Sequence, residues 1–307
     1  MIRTEKLHKR FGQRVAVDQL DLEIEPGSVF GFIGPNGAGK TTTLRMLTTL
    51  LHPTSGEAWI DGHSIRTEAQ AIRQRVGFMP DFFTAYPDMT VREYLHFFAA
   101  AHEIPAATHN QVVGGLLELV ALDSRQNTVI AQLSRGMKQR LGLARALVHD
   151  PSVLILDEPA SGLDPRARIE IREVLLELKT MGKTILLSSH ILPELQSLCT
   201  EVGIMERGRI VAHGALDDIL RAHRDTDEVD IRTHDNARAA VLLRELPSVR
   251  ESTVHADRSG VRVRVERGTD LARLAAHLVE RGVGLTHLEQ HEPDLEDRFI
   301  ALTEGLS

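Results

Sequence analysis

The chain has 307 residues, and at roughly 150 residues per domain this length predicts about two domains. Its 36 Lys and Arg against 43 Asp and Glu give a formal net charge of −7, which disfavours a nucleic-acid binder because such proteins carry a basic excess. The single cysteine, Cys199, excludes an internal disulfide, a four-cysteine zinc site and an iron–sulfur cluster held by cysteines.

The sequence contains no run of about 18 apolar residues that could cross a membrane. Its first residues also lack the apolar segment of a signal peptide. We therefore expect a protein that stays in the compartment where it is made. If it acts at a membrane, we expect a partner chain to supply the membrane-spanning part.

The first half of the chain combines strand patterns with a helical region. Residues 2–24 predict two short strands, and 28–33 predict a buried strand that is followed by a glycine-rich turn and a helix over 40–51. Beyond them, helical periodicity dominates over residues 90–102, 111–122 and 134–148.

From residue 153 onwards, predicted strands and helices alternate. An apolar strand at 153–156 is followed by a helix that Asp164 and Pro165 open, as the N-cap residue and the first helical residue. A strand at 184–189 and a hairpin over 202–211 come next. This alternation predicts an α/β fold with a mostly parallel sheet and helices on both faces.

The polar segment 221–228 is interpreted as a linker, because the strand and helix patterns restart after it. The order β-α-β-β-α-β plus a helix predicts a small α+β, ferredoxin-like domain over 229–307. Its predicted elements are strands at 229–232, 261–265 and 283–288 and helices at 237–246, 271–278 and 295–302.

A phosphate-binding loop is predicted between the strand at 28–33 and the helix that follows. The stretch matches the pattern G-x-x-x-x-G-K-[ST], whose glycines let backbone N–H groups point at a phosphate beside a helix N-terminus. We expect Lys40 to contact the β- and γ-phosphates and Thr41 to ligate Mg²⁺. The predicted nucleotide-binding residues are Gly34, Pro35, Asn36, Gly37, Ala38, Gly39, Lys40, Thr41 and Thr42.

The strand at 153–156 leads directly into two carboxylates, Asp157 and Glu158. A carboxylate at the end of a buried strand can be presented to Mg²⁺, which prefers oxygen ligands. The next carboxylate can polarise the attacking water. Together with the phosphate loop, these residues predict ATP and Mg²⁺ as cofactors on a P-loop NTPase core.

Further motifs, in order along the chain, resemble those of ATP-binding-cassette (ABC) ATPases over about residues 2–220. Residues 133–140, with Ser134 and Gly136, are similar to the signature motif, and 161–164, ending in Asp164, are similar to the D-loop. His190, after the strand at 184–189, resembles the switch histidine. Phe11 matches the aromatic residue that stacks on adenine.

The resemblance implies a fold and a mechanism. It implies an ATPase domain over 1–220, with an N-terminal antiparallel β subdomain and a helical subdomain at about 88–150. Two copies would sandwich two ATP molecules, each between the phosphate loop of one subunit and the signature motif of the other. Glu158 would act on the water and His190 on the γ-phosphate, while a separate polytopic membrane subunit would hold the pair at the cytoplasmic face of the membrane.

Three residues depart from the commonest family pattern. Asp81 stands where the Q-loop glutamine is expected, and its carboxylate is a candidate metal ligand. Arg135 and Met137 replace a glycine and a glutamine of the signature. These variants, with the C-terminal extension, resemble the ATPase subunits of bacterial drug- and antibiotic-type exporters.

Three alternatives remain open at this point. One is an importer ATPase with a regulatory C-terminal domain. Another is a soluble ABC protein that acts on ribosomes or DNA, although such proteins usually carry two cassettes, a long coiled coil or metal-binding cysteines. The last is a regulatory module that binds nucleotide without turnover, which the presence of Glu158 disfavours.

Overall fold

The computed structural model describes residues 1–82, 86–189, 195–215, 218–219, 226–257 and 259–291. These residues form two compact units that divide after Ile219. No helix within the described ranges has the length and apolarity needed to cross a membrane.

The first unit contains ten strands and six α-helices among its described residues. The strands are β1 (Ile2–Phe11), β2 (Arg14–Ile24), β3 (Val29–Ile33), β4 (Ser55–Ile60), β5 (His63–Ser64), β6 (Val76–Met79), β7 (Val153–Asp157), β8 (Thr184–Ser189), β9 (Glu201–Glu206) and β10 (Arg209–Ala215). The helices are α1 (Lys40–Leu47), α2 (Ala69–Arg75), α3 (Val91–Ala101), α4 (His109–Leu119), α5 (Arg135–Leu147) and α6 (Pro165–Thr180).

Two sheets build this unit. An antiparallel sheet has the order β2-β1-β4-β5, and a six-stranded sheet has the order β10-β9-β3-β8-β7-β6. All pairs in the larger sheet are parallel except β9 with β10, which confirms the predicted mostly parallel sheet. Both sheets contribute to one buried core, in which Ile2 and Ile24 of the antiparallel sheet join Phe30, Ile155 and Leu186 of the parallel one.

The helices α3, α4 and α5 lie where the apolar periodicity predicts them, with ends shifted by one to three residues. Thr90 caps α3 in a capping box with Glu93, so that two unpaired backbone N–H groups are satisfied. Helix α1 ends at Leu47, four residues before the predicted end. The reason is Thr49, whose φ of 59° lies in the left-handed region and cannot continue a helix.

The described residues of the second unit form a four-stranded antiparallel sheet with two helices. Its elements are β11 (Thr226–Thr233), α7 (Asn236–Leu243), β12 (Val249–Val254), β13 (Val261–Glu266), α8 (Leu271–Glu280) and β14 (Leu285–His291). The strand order β12-β13-β11-β14 and the β-α-β-β-α-β succession are those of a ferredoxin-like domain, as predicted. The predicted helix at 295–302 lies outside the described residues.

β11 and β12 differ most from the sequence-based prediction, and β14 lies at Leu285–His291 instead of 283–288. β11 begins at Thr226, inside the segment interpreted as a linker, and its buried Asp227 accepts a hydrogen bond from the Gly268 N–H at 3.2 Å. β12 has Ser252 as its buried residue, and the Ser252 hydroxyl donates to the Ala240 carbonyl at 2.6 Å. In both strands a polar residue faces inward, which hides the apolar alternation expected of a half-buried strand.

Candidate nucleotide-binding site

The phosphate loop connects β3 to α1. Two of its glycines are required because other backbone atoms lie too close for a side chain. Gly39 has a φ of 112°, and a Cβ there would lie 2.5 Å from the Ala16 carbonyl oxygen. A Cβ on Gly34 would lie 2.3 Å from the Met205 carbonyl oxygen. Any larger residue at either position would therefore displace the backbone behind the loop.

The turn between β9 and β10 supports the loop from behind. The Gly208 N–H donates to the Ala38 carbonyl at 2.9 Å, and the Asp18 N–H donates to the Gly208 carbonyl at 2.8 Å. Gly208 therefore links the phosphate loop to β2 through backbone hydrogen bonds alone.

Lys40, the first residue of α1, is only 6% exposed. Its ammonium donates to the Gly34 carbonyl at 2.6 Å and lies 3.4 Å from a carboxylate oxygen of Glu158. The Lys40 ammonium therefore lies between the loop and Glu158. The Glu158 carboxylate, directly after the carboxyl end of β7, balances its charge.

Asp157 is buried at the end of β7 and is held by two hydroxyls. Thr41 donates to Asp157 Oδ1 at 3.1 Å, and Ser188 donates to the same oxygen at 2.7 Å. The strand order places β8 between β3 and β7, which explains why a residue of β8 reaches this carboxylate. Thr41 and Asp157 form a pair of hard oxygen donors of the kind that Mg²⁺ accepts.

Glu158 follows directly and leaves the strand in an unusual conformation. Its φ of 51° is rare for a residue with a side chain and turns the carboxylate towards Lys40. The Glu158 N–H donates to Ser188 Oγ at 3.0 Å. Backbone strain held by surrounding contacts is common at functional sites.

Gly39, Lys40, Thr41 and Glu158 border a cavity of about 480 Å³, whereas Gly34 and Asp157 are not among its lining residues. Phe11 lines it and is 49% exposed, with the Lys9 ammonium 5.1 Å from its ring centroid. One face of the ring is therefore covered by a cation. The cavity is lined by Phe11, Arg14, Ala16, Pro35, Asn36, Gly37, Ala38, Gly39, Lys40, Thr41, Thr42, Asp81, Glu158 and Ser161.

The structure does not bring every predicted residue to this cavity. Ser134 caps α5 by accepting from the Met137 N–H at 3.2 Å, and Asp164 caps α6 by accepting from the Ala167 N–H at 2.9 Å. Gly136 lies where α5 and α6 meet, since a Cβ there would be 2.8 Å from Ala167 Cβ. His190 lies outside the described residues.

Four residues of the site were not predicted to belong to it. Arg14, Ala16 and Ser161 line the cavity, and Ser188 binds both Asp157 and Glu158. Ser161 falls within the stretch similar to the D-loop, of which only Asp164 was assigned. Ser188 lies two residues before the predicted switch histidine, but its role depends on β8 lying next to β7. Strand neighbours across a parallel sheet leave no local pattern in the sequence.

Known proteins resemble this chain in sequence. The family model described as ABC transporter matches residues 17–161. Nod factor export ATP-binding protein I of Burkholderia lata is 40% identical over 298 residues, which cover 97% of this chain and 95% of the relative. The chain belongs to the ABC transporter family. The protein of the same name from Paraburkholderia xenovorans is also 40% identical, over 98% of this chain and 96% of its own.

Solved structures of ABC proteins agree with this assignment. An ATP-binding subunit of an ABC transporter superposes with a TM-score of 0.66 at 31% identity, over 72% of this chain and 92% of its own. A dimeric, post-hydrolysis ATP-binding cassette bound to ADP and Pi gives 0.65 at 25% identity, over 70% and 99%. This chain is accordingly an ATP-binding subunit of an ABC transporter and an ATPase.

Proposed function

We propose that this chain is the energy-coupling ATPase of an ABC exporter, with Mg²⁺·ATP bound in the cavity between Phe11 and Glu158. The observation that carries the proposal is the convergence of Lys40, Thr41, Asp157 and Glu158 at the end of the parallel sheet. We propose export as the direction of transport because of two relatives that match nearly the whole chain. Both are named as an export ATP-binding protein.

The mechanism assigns one task to each side chain. Lys40 and the N–H groups of the loop bind the phosphates, and Glu158 accepts a proton from the attacking water. Thr41 and Asp157 would hold Mg²⁺, whose charge would offset that of the phosphates when bound. Asp81 borders the same cavity, and we propose it as a further residue near the metal.

We further propose that two copies close around two ATP molecules. Ser134 and Gly136 begin α5 away from the chain's own cavity, where the free N–H groups of a helix N-terminus suit a phosphate. Asp164 and His190 are assigned to the same closed dimer by the family resemblance. The dimeric cassette among the similar structures supports this arrangement.

For the membrane subunit, we propose a docking surface of exposed aromatic side chains. Phe82 is 84% exposed, and Tyr86 and Phe97 form an edge-to-face pair at 5.8 Å. Beside Phe98 lies a cavity of about 260 Å³, lined in part by Leu50 and Arg145.

Copurification from membranes tests this surface. A polytopic chain that is recovered with the wild type, and in smaller amount with Phe82→Ala, would support it. Equal recovery with both proteins would refute it.

ATP hydrolysis measured against protein concentration tests the catalytic proposal. The rate per subunit should rise with concentration, since the complete site needs two copies. Glu158→Gln should lower the rate about a hundredfold or more by removing the general base, while ATP still binds. Turnover that is unchanged in Glu158→Gln would remove this residue from the mechanism, and a concentration-independent rate would argue against the dimer.

A further inference from the structure

Arg14 lines the cavity beside both Phe11 and the phosphate loop. It is the first residue of β2 and pairs with Phe11 across the β1–β2 hairpin. Its Nη2 lies 3.3 Å from the point where a Cβ on Gly37 would be, so the guanidinium lies directly beside the phosphate loop. Arg14 therefore lies between the aromatic ring and the glycines that face phosphate.

The guanidinium of Arg14 is exposed and forms no hydrogen bond or ion pair with any residue that the structure describes. Two other arginines of the first unit do have acidic partners: Arg3 pairs with Glu5, and Arg209 pairs with Asp18. A guanidinium offers five N–H donors in a planar fork that matches phosphate oxygens. The side chain is thus available for an anion at this place.

The charged residues that line the cavity leave Arg14 without an acidic partner. Among its described lining residues, Arg14 and Lys40 are the cations and Asp81 and Glu158 are the acids. Lys40 is already paired with Glu158 at 3.4 Å. Arg14 is the lining cation without such a partner among the described residues, and it pairs with Phe11 across the β1–β2 hairpin.

We propose that Arg14 binds the α- and β-phosphates of the nucleotide and so contributes to affinity for both nucleoside diphosphates and triphosphates. This role rests on the nucleotide lying in the cavity with its base against Phe11. A contact on that side of the phosphate chain is the same before and after hydrolysis, because the γ-phosphate lies at the Lys40 and Glu158 end.

Calorimetric titration of ATP and of ADP, each with Mg²⁺, into the full-length chain tests the proposal. Arg14→Ala should weaken both nucleotides by the same factor, roughly tenfold, as expected for one charge-assisted hydrogen bond. Arg14→Lys should recover part of the loss, since it keeps the charge but not the fork. Arg10→Ala is the matched control: it removes an exposed arginine of the same hairpin that does not line the cavity.

Each outcome decides the matter. Equal losses for ATP and ADP that exceed those of the control establish the assignment. A loss confined to ATP would place Arg14 at the γ-phosphate, and affinities equal to those of Arg10→Ala would leave it without a role; either result overturns the proposal. If the folded wild-type chain binds neither nucleotide, the nucleotide site itself is refuted, an outcome distinguishable from failure of Arg14 alone.

Discussion

Ser188 shows how a single buried hydroxyl can organise a catalytic site. Its oxygen donates to Asp157 Oδ1 at 2.7 Å and accepts from the Glu158 N–H at 3.0 Å. The hydroxyl therefore fixes the proposed metal ligand and the backbone of the proposed general base at once. It acts through these two residues and is a positioning residue.

Replacing Ser188 by Ala should slow hydrolysis. Hydrogen bonds to charged groups contribute about 1.5–3 kcal/mol, which corresponds to a rate loss of roughly tenfold or more if the alignment is lost. We also expect the Mg²⁺ concentration for half-maximal ATPase activity to rise. Ser28→Ala is a suitable control, because Ser28 Oγ bonds the Glu25 carbonyl outside the cavity. An unchanged Mg²⁺ dependence would contradict the positioning role.

At this scale, the sequence located the residues whose chemistry follows from their neighbours in the chain. Gly34–Lys40 and Asp157 with Glu158 could be assigned because strand, turn and helix follow one another directly. Arg14 and Ser188 could not, since their roles depend on which strands lie side by side. The metal role of Asp81 and the γ-phosphate role of His190 stay predictions.

At the scale of helices and strands, a pair of histidines connects the helical region to the parallel sheet. His102, which caps α3, stacks on His149, which follows α5, with ring centroids 4.0 Å apart and planes at 5°. His149 Nε2 donates to the Val76 carbonyl of β6 at 3.2 Å. Burial, and then the neighbouring His102, lower the pKa of His149 from 6.5 to about 4. Burial also lowers the pKa of His102.

This pair should make the first unit sensitive to acid. Because the folded pKa of His149 is lowered, the unfolded chain binds a proton below pH 6.5 while the folded chain resists it down to about pH 4. Stability should therefore fall as the pH drops through this window. His149→Phe keeps a flat ring but cannot titrate. The urea concentration at the midpoint of unfolding should therefore fall less between pH 6.5 and 4 for this variant than for the wild type. Parallel pH profiles for the two proteins would refute the role of His149.

The elements predicted best are those with clear caps and apolar periodicity, such as α5, α6 and β8. β12 and the start of β11 were not predicted because a polar residue faces inward in each, Ser252 and Asp227. Both residues are satisfied by hydrogen bonds that the sequence does not show. The end of α1 was misplaced because a left-handed threonine is not a usual stop signal.

For the molecule as a whole, the main feature is that each unit has a core of its own. Val229, Val263 and Leu274 belong to the buried cluster of the second unit, whereas Ile155 and Leu186 belong to that of the first. Separate cores predict that one unit can be unfolded without loss of the other.

Val263→Asp tests this separation. Val263 is fully buried at the centre of β13, and an unpaired carboxylate there should cost roughly 3–5 kcal/mol, enough to unfold a small domain. ATP affinity of the first unit should be unchanged within twofold, as measured by calorimetry. Arg264→Ala, the next residue on the solvent face, should leave both units folded. A loss of ATP binding in Val263→Asp would show that the two units depend on each other.

The two backbone hydrogen bonds of Gly208 have a mechanical consequence for the phosphate loop. They anchor the Ala38 carbonyl to the turn between β9 and β10, and that turn to β2. Because only backbone atoms are involved, the stiffness of the loop does not depend on which side chains the turn carries.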